Sequence, residues 1–159
     1  MMFADNENKL ALANSRARLR MTTLYQIAQT NVGLVVGTGN KVEDFGVGFF
    51  TKYGDGGVDL SPIADLMKSE VRETSIDLGI IDDIIKASPT DGLWGDDRTD
   101  EDQLGATYDE LEWAMKYIER VGYSCSDREK EVLEIYTKLN KQNKHKMIPI
   151  PVFIKNNNI

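Results

Sequence analysis

The chain has 159 residues, 41% hydrophobic and 28% charged, which suits one domain with its own core and excludes a disordered, collagen-like or disulfide-stapled chain. Nineteen Lys and Arg against 26 Asp and Glu give a net charge of −7, which opposes nonspecific binding to nucleic acid or an anionic membrane. Cys125 and His145 are the only residues of their kinds, so no intrachain disulfide and no cysteine-based zinc site can form.

Residues 1–7 show neither the basic nor the apolar region of a secretory signal. The apolar runs 33–36 and 79–81 fall far below the roughly 18 residues of a membrane span. A cytoplasmic protein is expected, without membrane or nucleic-acid partners.

Met21, Leu24, Tyr25 and Ala28 recur at helical spacing and predict a helix over 13–30 that starts near Asn14 or Ser15. Arg16 and Arg20 share a face of it, while Arg18 lies about 200° around from Arg16. The run Gly33 to Val36, bounded by Asn31 and by Gly37-Thr38-Gly39-Asn40, suits a strand buried on both faces of a parallel sheet. Eight of the 13 glycines lie between Gly33 and Gly57, so the loop after this strand is unusually glycine-rich. In α/β proteins ligands bind at the carboxyl ends of the strands, where this loop falls.

Ser61-Pro62 reads as a helix start, followed by Ile63, Leu66, Met67 and Val71, with Gly79 as the stop. A short helix is predicted over 81–87, then an acidic loop over 90–105 that carries Trp94. Thr107-x-x-Glu110 and Ser126-x-x-Glu129 are capping boxes opening two further helices. About five helices but one confident strand leave the sheet short of partners, to be found in 57–61, in 147–154 or outside the chain. No linker or internal repeat divides residues 1–159, so a single domain is expected.

Gly37-Thr38-Gly39-Asn40 lacks the third glycine of a dinucleotide fingerprint, Val42 standing in its place, and no Gly-Lys pair supplies a P-loop. The string Phe49 to Asp59, F-F-T-K-Y-G-D-G-G-V-D, sets a lysine and two carboxylates among glycines and aromatics without the ligand pattern of an EF-hand.

That string, together with A-R-L-R-M at 17–21, G-T-G-N-K-V-E at 37–43, P-T-D-G-L-W at 89–94 and H-K-M-I-P-I-P at 145–151, resembles ammonia-dependent NAD synthetase. The likeness runs from about Leu10 to Pro151 in the family's order. It implies a Rossmann-like parallel sheet with flanking helices, an α/β fold of the adenine nucleotide alpha hydrolase type, incomplete at its amino-terminal side. The implied reaction is NAD biosynthesis: ATP adenylates the nicotinate carboxylate of deamido-NAD, releasing pyrophosphate, and ammonia then displaces AMP.

The resemblance also implies roles. Thr38, Lys68 and Thr90 match ATP contacts, and Arg18, Lys52, Asp59, His145 and Lys146 match deamido-NAD contacts. Glu43 matches the Mg2+ ligand. The interval from Glu43 to Lys52 is one residue longer than the family spacing, which leaves Asp44 as the alternative ligand. The family's S-G-G-x-D-S loop does not occur in these residues. The implied expectation is a fragment, or else a separate chain supplying the amino-terminal half, in a homodimer that is inactive without that half; the alternative is a noncatalytic fragment that binds deamido-NAD or dimerises.

Overall fold

The structure, a computed structural model, describes residues 8–118 and 125–155. These contain helices α1 (Lys9–Thr30), α2 (Lys68–Asp77), α3 (Asp82–Ile85), α4 (Asp100–Leu104), α5 (Tyr108–Ile118) and α6 (Asp127–Met147), with a π turn (Val42–Val47) between α1 and α2.

Helix α1 starts before its apolar stripe, because the Asn8 side chain accepts the Ala11 N–H at 3.1 Å and supplies the cap. Asn14, an expected start, lies inside the helix and accepts the Thr51 hydroxyl at 2.5 Å. Ser61-Pro62 opens a turn rather than α2: Leu66 donates to Ile63 O at 3.0 Å, and the helix begins at Lys68, where the Glu70 carboxylate accepts the Met67 N–H at 2.7 Å. Gly79, at φ 72°, stops it as expected. Both capping boxes form, with Glu110 accepting the Thr107 N–H at 2.9 Å and Glu129 accepting that of Ser126 at 2.6 Å.

The Rossmann-like parallel sheet does not form among the described residues. The expected strand 33–36 makes one isolated parallel bridge, Val36 to Leu60, supported by Gly37 N–H to Leu60 O at 2.7 Å and Asp59 N–H to Val35 O at 2.9 Å. Segment 57–61 is thus a neighbour to 33–36, whereas in 147–154 Met147 ends α6 and the residues after it are exposed and carry no strand. The physical reason is the shortage of strands: two short segments cannot make a stable sheet alone, and Leu34 and Val36 remain 66% and 53% exposed rather than buried on both faces.

The core lies elsewhere. Val42 and Val47 of the π turn pack with Tyr108, Leu111 and Ala114 of α5 and with Val132 and Tyr136 of α6. A π turn takes one more residue per turn than an α turn. Gly48, at φ 62°, closes it by donating to Glu43 O. Anchoring this turn on α5 and α6 fixes where Glu43 and Asp44 point. No helix among the described residues is long and apolar enough to cross a membrane.

Candidate functional site

A cavity of about 530 Å³ opens where α1, residues 35–39, the π turn and residues 89–93 meet, a volume suited to a small-molecule ligand. Thr38, Glu43, Lys68 and Thr90, far apart in sequence, all line it. Asp44 lines it too, and also a smaller cavity of about 180 Å³ behind it, which Lys146 borders.

Glu43 is the most constrained of these groups. Asn40, itself buried, accepts the Glu43 N–H at 3.1 Å, and Glu43 Oε2 accepts the Asn40 N–H at 3.2 Å. Lys68 Nζ reaches Glu43 Oε1 at 3.2 Å, and the Tyr108 hydroxyl donates to the same oxygen at 2.5 Å. Lys68 also sits 4.8 Å from the Tyr108 ring centroid, so the ring face and the carboxylate fix its ammonium together. Burial and the flanking carboxyl groups hold the Tyr108 phenol far above its ordinary pKa, so it stays a donor.

Asp44 presses its carboxylate against Gly39, where a Cβ would lie 2.3 Å from Asp44 Oδ1. A side chain at position 39 would require the Asp44 carboxylate to move aside. Burial, then Glu43 and Asp55, push the Asp44 carboxyl up to about 6.

One wall of the cavity is strapped to α1. Arg20 donates to Asp91 O and Gly92 O, both at 3.0 Å, and Arg16 donates to Leu93 O. Arg18 points elsewhere, donating to Lys52 O at 3.3 Å, as the helical geometry requires. Asp91 organises the strap by accepting from the Leu93 N–H at 2.8 Å, the Trp94 indole at 3.1 Å and Gln103 at 3.2 Å.

The other expected site residues are not gathered in this cavity. Lys52 Nζ donates to His145 O at 2.6 Å, so Arg18, Lys52 and His145 form a chain through main-chain carbonyls. The His145 ring is exposed and faces Gln142 O at 3.3 Å. Lys146 donates to Gly48 O at 2.9 Å and Phe50 O at 2.7 Å, and burial lowers its pKa. Asp59 is engaged in holding the fold, accepting the Val35 N–H at 2.8 Å and the Tyr25 hydroxyl at 3.1 Å.

Among the described residues no three His, Cys, Asp or Glu side chains gather as a metal cage. Magnesium characteristically uses one or two carboxylates and takes its other oxygens from water and substrate phosphates, so Glu43 with Asp44 beside it fits that ion. Asn40, Asp91, Asp100 and Tyr108 shape the site without having been singled out in the sequence. For Tyr108 the capping box places the residue on the first turn of α5 but carries no signal that its hydroxyl turns to Glu43.

Residues 1–149 match the NAD synthase family. The chain is 55% identical over 106 residues to the NH(3)-dependent NAD(+) synthetase of Mesoplasma florum, covering 67% of this chain and 43% of that protein. It is 40% identical over 151 residues to the synthetase of the same description from Alkaliphilus metalliredigens, covering 95% and 57%. Among solved structures, the NMN synthetase from Francisella tularensis superimposes with a TM-score of 0.78 at 33% identity, covering 95% of this chain and 58% of that one. The chain therefore spans about half the length of the curated relatives it matches. A match over nearly all of its length shows that the chain belongs to the NAD synthase family.

Proposed function

We propose that the chain takes part in NAD biosynthesis in the cytoplasm, as a portion of an ammonia-dependent NAD synthetase that amidates deamido-NAD at the expense of ATP. The observation that carries this reading is the convergence of Thr38, Glu43, Lys68 and Thr90 on the larger cavity. In the reaction the nicotinate carboxylate oxygen attacks the α-phosphorus of ATP and pyrophosphate leaves. Ammonia then attacks the adenylated carbonyl carbon, AMP leaves, and the nitrogen loses a proton to give the amide.

Lys68 places a point charge beside the triphosphate, the role lysine fills well. Thr38 offers a small hydroxyl at the end of segment 35–38, and Thr90 another across the cavity. Glu43, with Asp44 as alternative, would hold Mg2+, which would supply charge shielding for the phosphates. Lys68 pairs with Glu43 at 3.2 Å, which holds both groups at the cavity wall. Arg18, Lys52, Asp59, His145 and Lys146 belong to the deamido-NAD surface in this reading, in a homodimer completed by the S-G-G-x-D-S half of the family fold.

The test incubates the purified chain with ATP, Mg2+, deamido-NAD and ammonium, alone and with a polypeptide carrying the S-G-G-x-D-S half. NAD and pyrophosphate are measured together. Product is expected from the completed mixture, at least tenfold less with Lys68→Ala, and none from the chain by itself. A completed mixture that forms no NAD ends the reading.

A second reading has one observation behind it, the 0.78 TM-score with the NMN synthetase: nicotinate mononucleotide in place of deamido-NAD. Running both substrates in the same assay decides between them by their kcat/KM values.

A further inference from the structure

Of the three arginines on α1, the family motif gives a role to Arg18 alone, and Arg16 and Arg20, one turn apart on another face, have none. Both reach across to the cavity wall. Arg20 donates to Asp91 O and Gly92 O, each at 3.0 Å, and Arg16 donates to Leu93 O. Consecutive carbonyls of an extended chain point to opposite sides. Gly92, at φ 61°, turns the chain so that the Asp91 and Gly92 carbonyls both face α1.

These bonds fall beside Thr90. Residues 86–99 carry no helix or strand and Thr90 is exposed, so its place depends on what holds its neighbours. On one side, Pro89 O accepts the Asp100 N–H of α4 at 2.9 Å. On the other, the Asp91 side chain is held by Gln103 of α4 at 3.2 Å and its carbonyl by Arg20 of α1. Helices α4 and α1 thus grip the segment from two directions. A guanidinium carries five N–H donors in a rigid plane and spans two carbonyls at once, whereas an ammonium is a point donor that does not fix their angle.

We propose that Arg16 and Arg20 are positioning residues that hold carbonyls 91–93 against α1 and thereby set Thr90 on the wall of the nucleotide cavity. Their acceptors are main-chain oxygens, so the pair works through geometry rather than by neutralising a carboxylate. A small misplacement of a contact group costs a reacting ligand much of its rate or affinity. The consequence for ATP rests on the role proposed for Thr90 above, but the hold on the segment does not.

Nitrogen-15 NMR of the whole chain reads the segment through the Trp94 indole, which donates to Asp91 at 3.1 Å, with Trp94→Phe to assign its resonance. The Trp113 indole, on α5 beside the core, is the internal control. Arg20→Ala and Arg20→Lys are expected to move the Trp94 resonance and leave that of Trp113 in place, with unchanged circular dichroism. In the completed mixture both variants should raise KM for ATP by about tenfold, while KM for deamido-NAD changes by less than about twofold. A Trp94 resonance indifferent to Arg20→Ala, full recovery of KM for ATP in Arg20→Lys, or equal rises in both KM values overturns the proposal. Should the Arg20 variants fail to fold, Arg16→Lys, which disturbs only the bond to Leu93 O, is read in the same way. A wild-type mixture that forms no NAD counts against the synthetase reading, and the Trp94 resonance then decides the hold on the segment by itself.

Discussion

Asp44 is an acid of the cavity wall that no hydrogen-bond donor reaches among the described residues, and it has Glu43 and Asp55 for company. Its carboxyl is raised from the ordinary 3.8 to about 6, so the folded chain binds this proton more tightly than the unfolded chain does. The sign follows from linkage. Stability from this carboxyl is greatest below about pH 4, declines as pH rises between 3.8 and about 6, and stays reduced above that. Asp44→Asn removes the charge and keeps the shape. Discounted for the part of the group that faces solvent, the gain at neutral pH is on the order of 1 kcal/mol. Urea unfolding of both proteins at about pH 4 and pH 7.5 checks this. The variant should be the more stable at the higher pH only, and an equal gain at both would mean that packing rather than charge is responsible. At this scale the family motifs single out Thr38, Glu43, Asp44, Lys68 and Thr90, and all five line one cavity. Asp59 is expected at the deamido-NAD surface, and in the structure its carboxylate also serves the Val35 amide. A carboxylate's residue type does not say which donor will claim it.

The end of α1 shows an element under strain. Gly33 N–H reaches Ala28 O at 2.8 Å and Val32 N–H reaches Gln29 O at 3.4 Å, the paired bonds of a Schellman motif with Val32 at the position that favours glycine. Val32 adopts φ 55° and is 98% exposed, so its side chain has no packing to offset a conformation that costs a β-branched residue about 1–2 kcal/mol. Val32→Gly should raise stability by about 1 kcal/mol, partly reduced by the greater entropy of the unfolded glycine. Chemical denaturation reads this directly, and destabilisation would show that the valine makes contacts worth more than its strain. Helix ends elsewhere were legible because capping boxes are local: Thr107 with Glu110 and Ser126 with Glu129 bond as their spacing predicts. The π turn left no periodic trace, because six residues are too few to establish a period. The sheet was misjudged for the opposite reason. A buried-looking run such as 33–36 reports on its own residues, whereas a sheet depends on neighbours that the run cannot specify.

Taken whole, the molecule is packed on one side only. The core joins the π turn to α5 and α6, while Leu24, Ile27, Val32, Leu34 and Val36 stay 50% or more exposed along α1 and the segment after it. Segment 33–36 also has one edge beside Leu60 and, among the described residues, no strand on the other, so its amides and carbonyls are open to a further chain. Apolar side chains beside an open backbone edge promote association more than either feature separately, since burial supplies the free energy and the edge supplies register. The chain is therefore expected to self-associate with concentration, and sedimentation velocity over a hundredfold dilution series measures it. Leu34→Lys should shift that equilibrium at least tenfold toward monomer, because a lysine on an edge must lose its hydration to be covered. It should leave the helical circular dichroism unchanged, as Leu34 lies outside the core. A wild-type chain that stays monomeric throughout, or a variant that associates as strongly, would show that this face needs no cover.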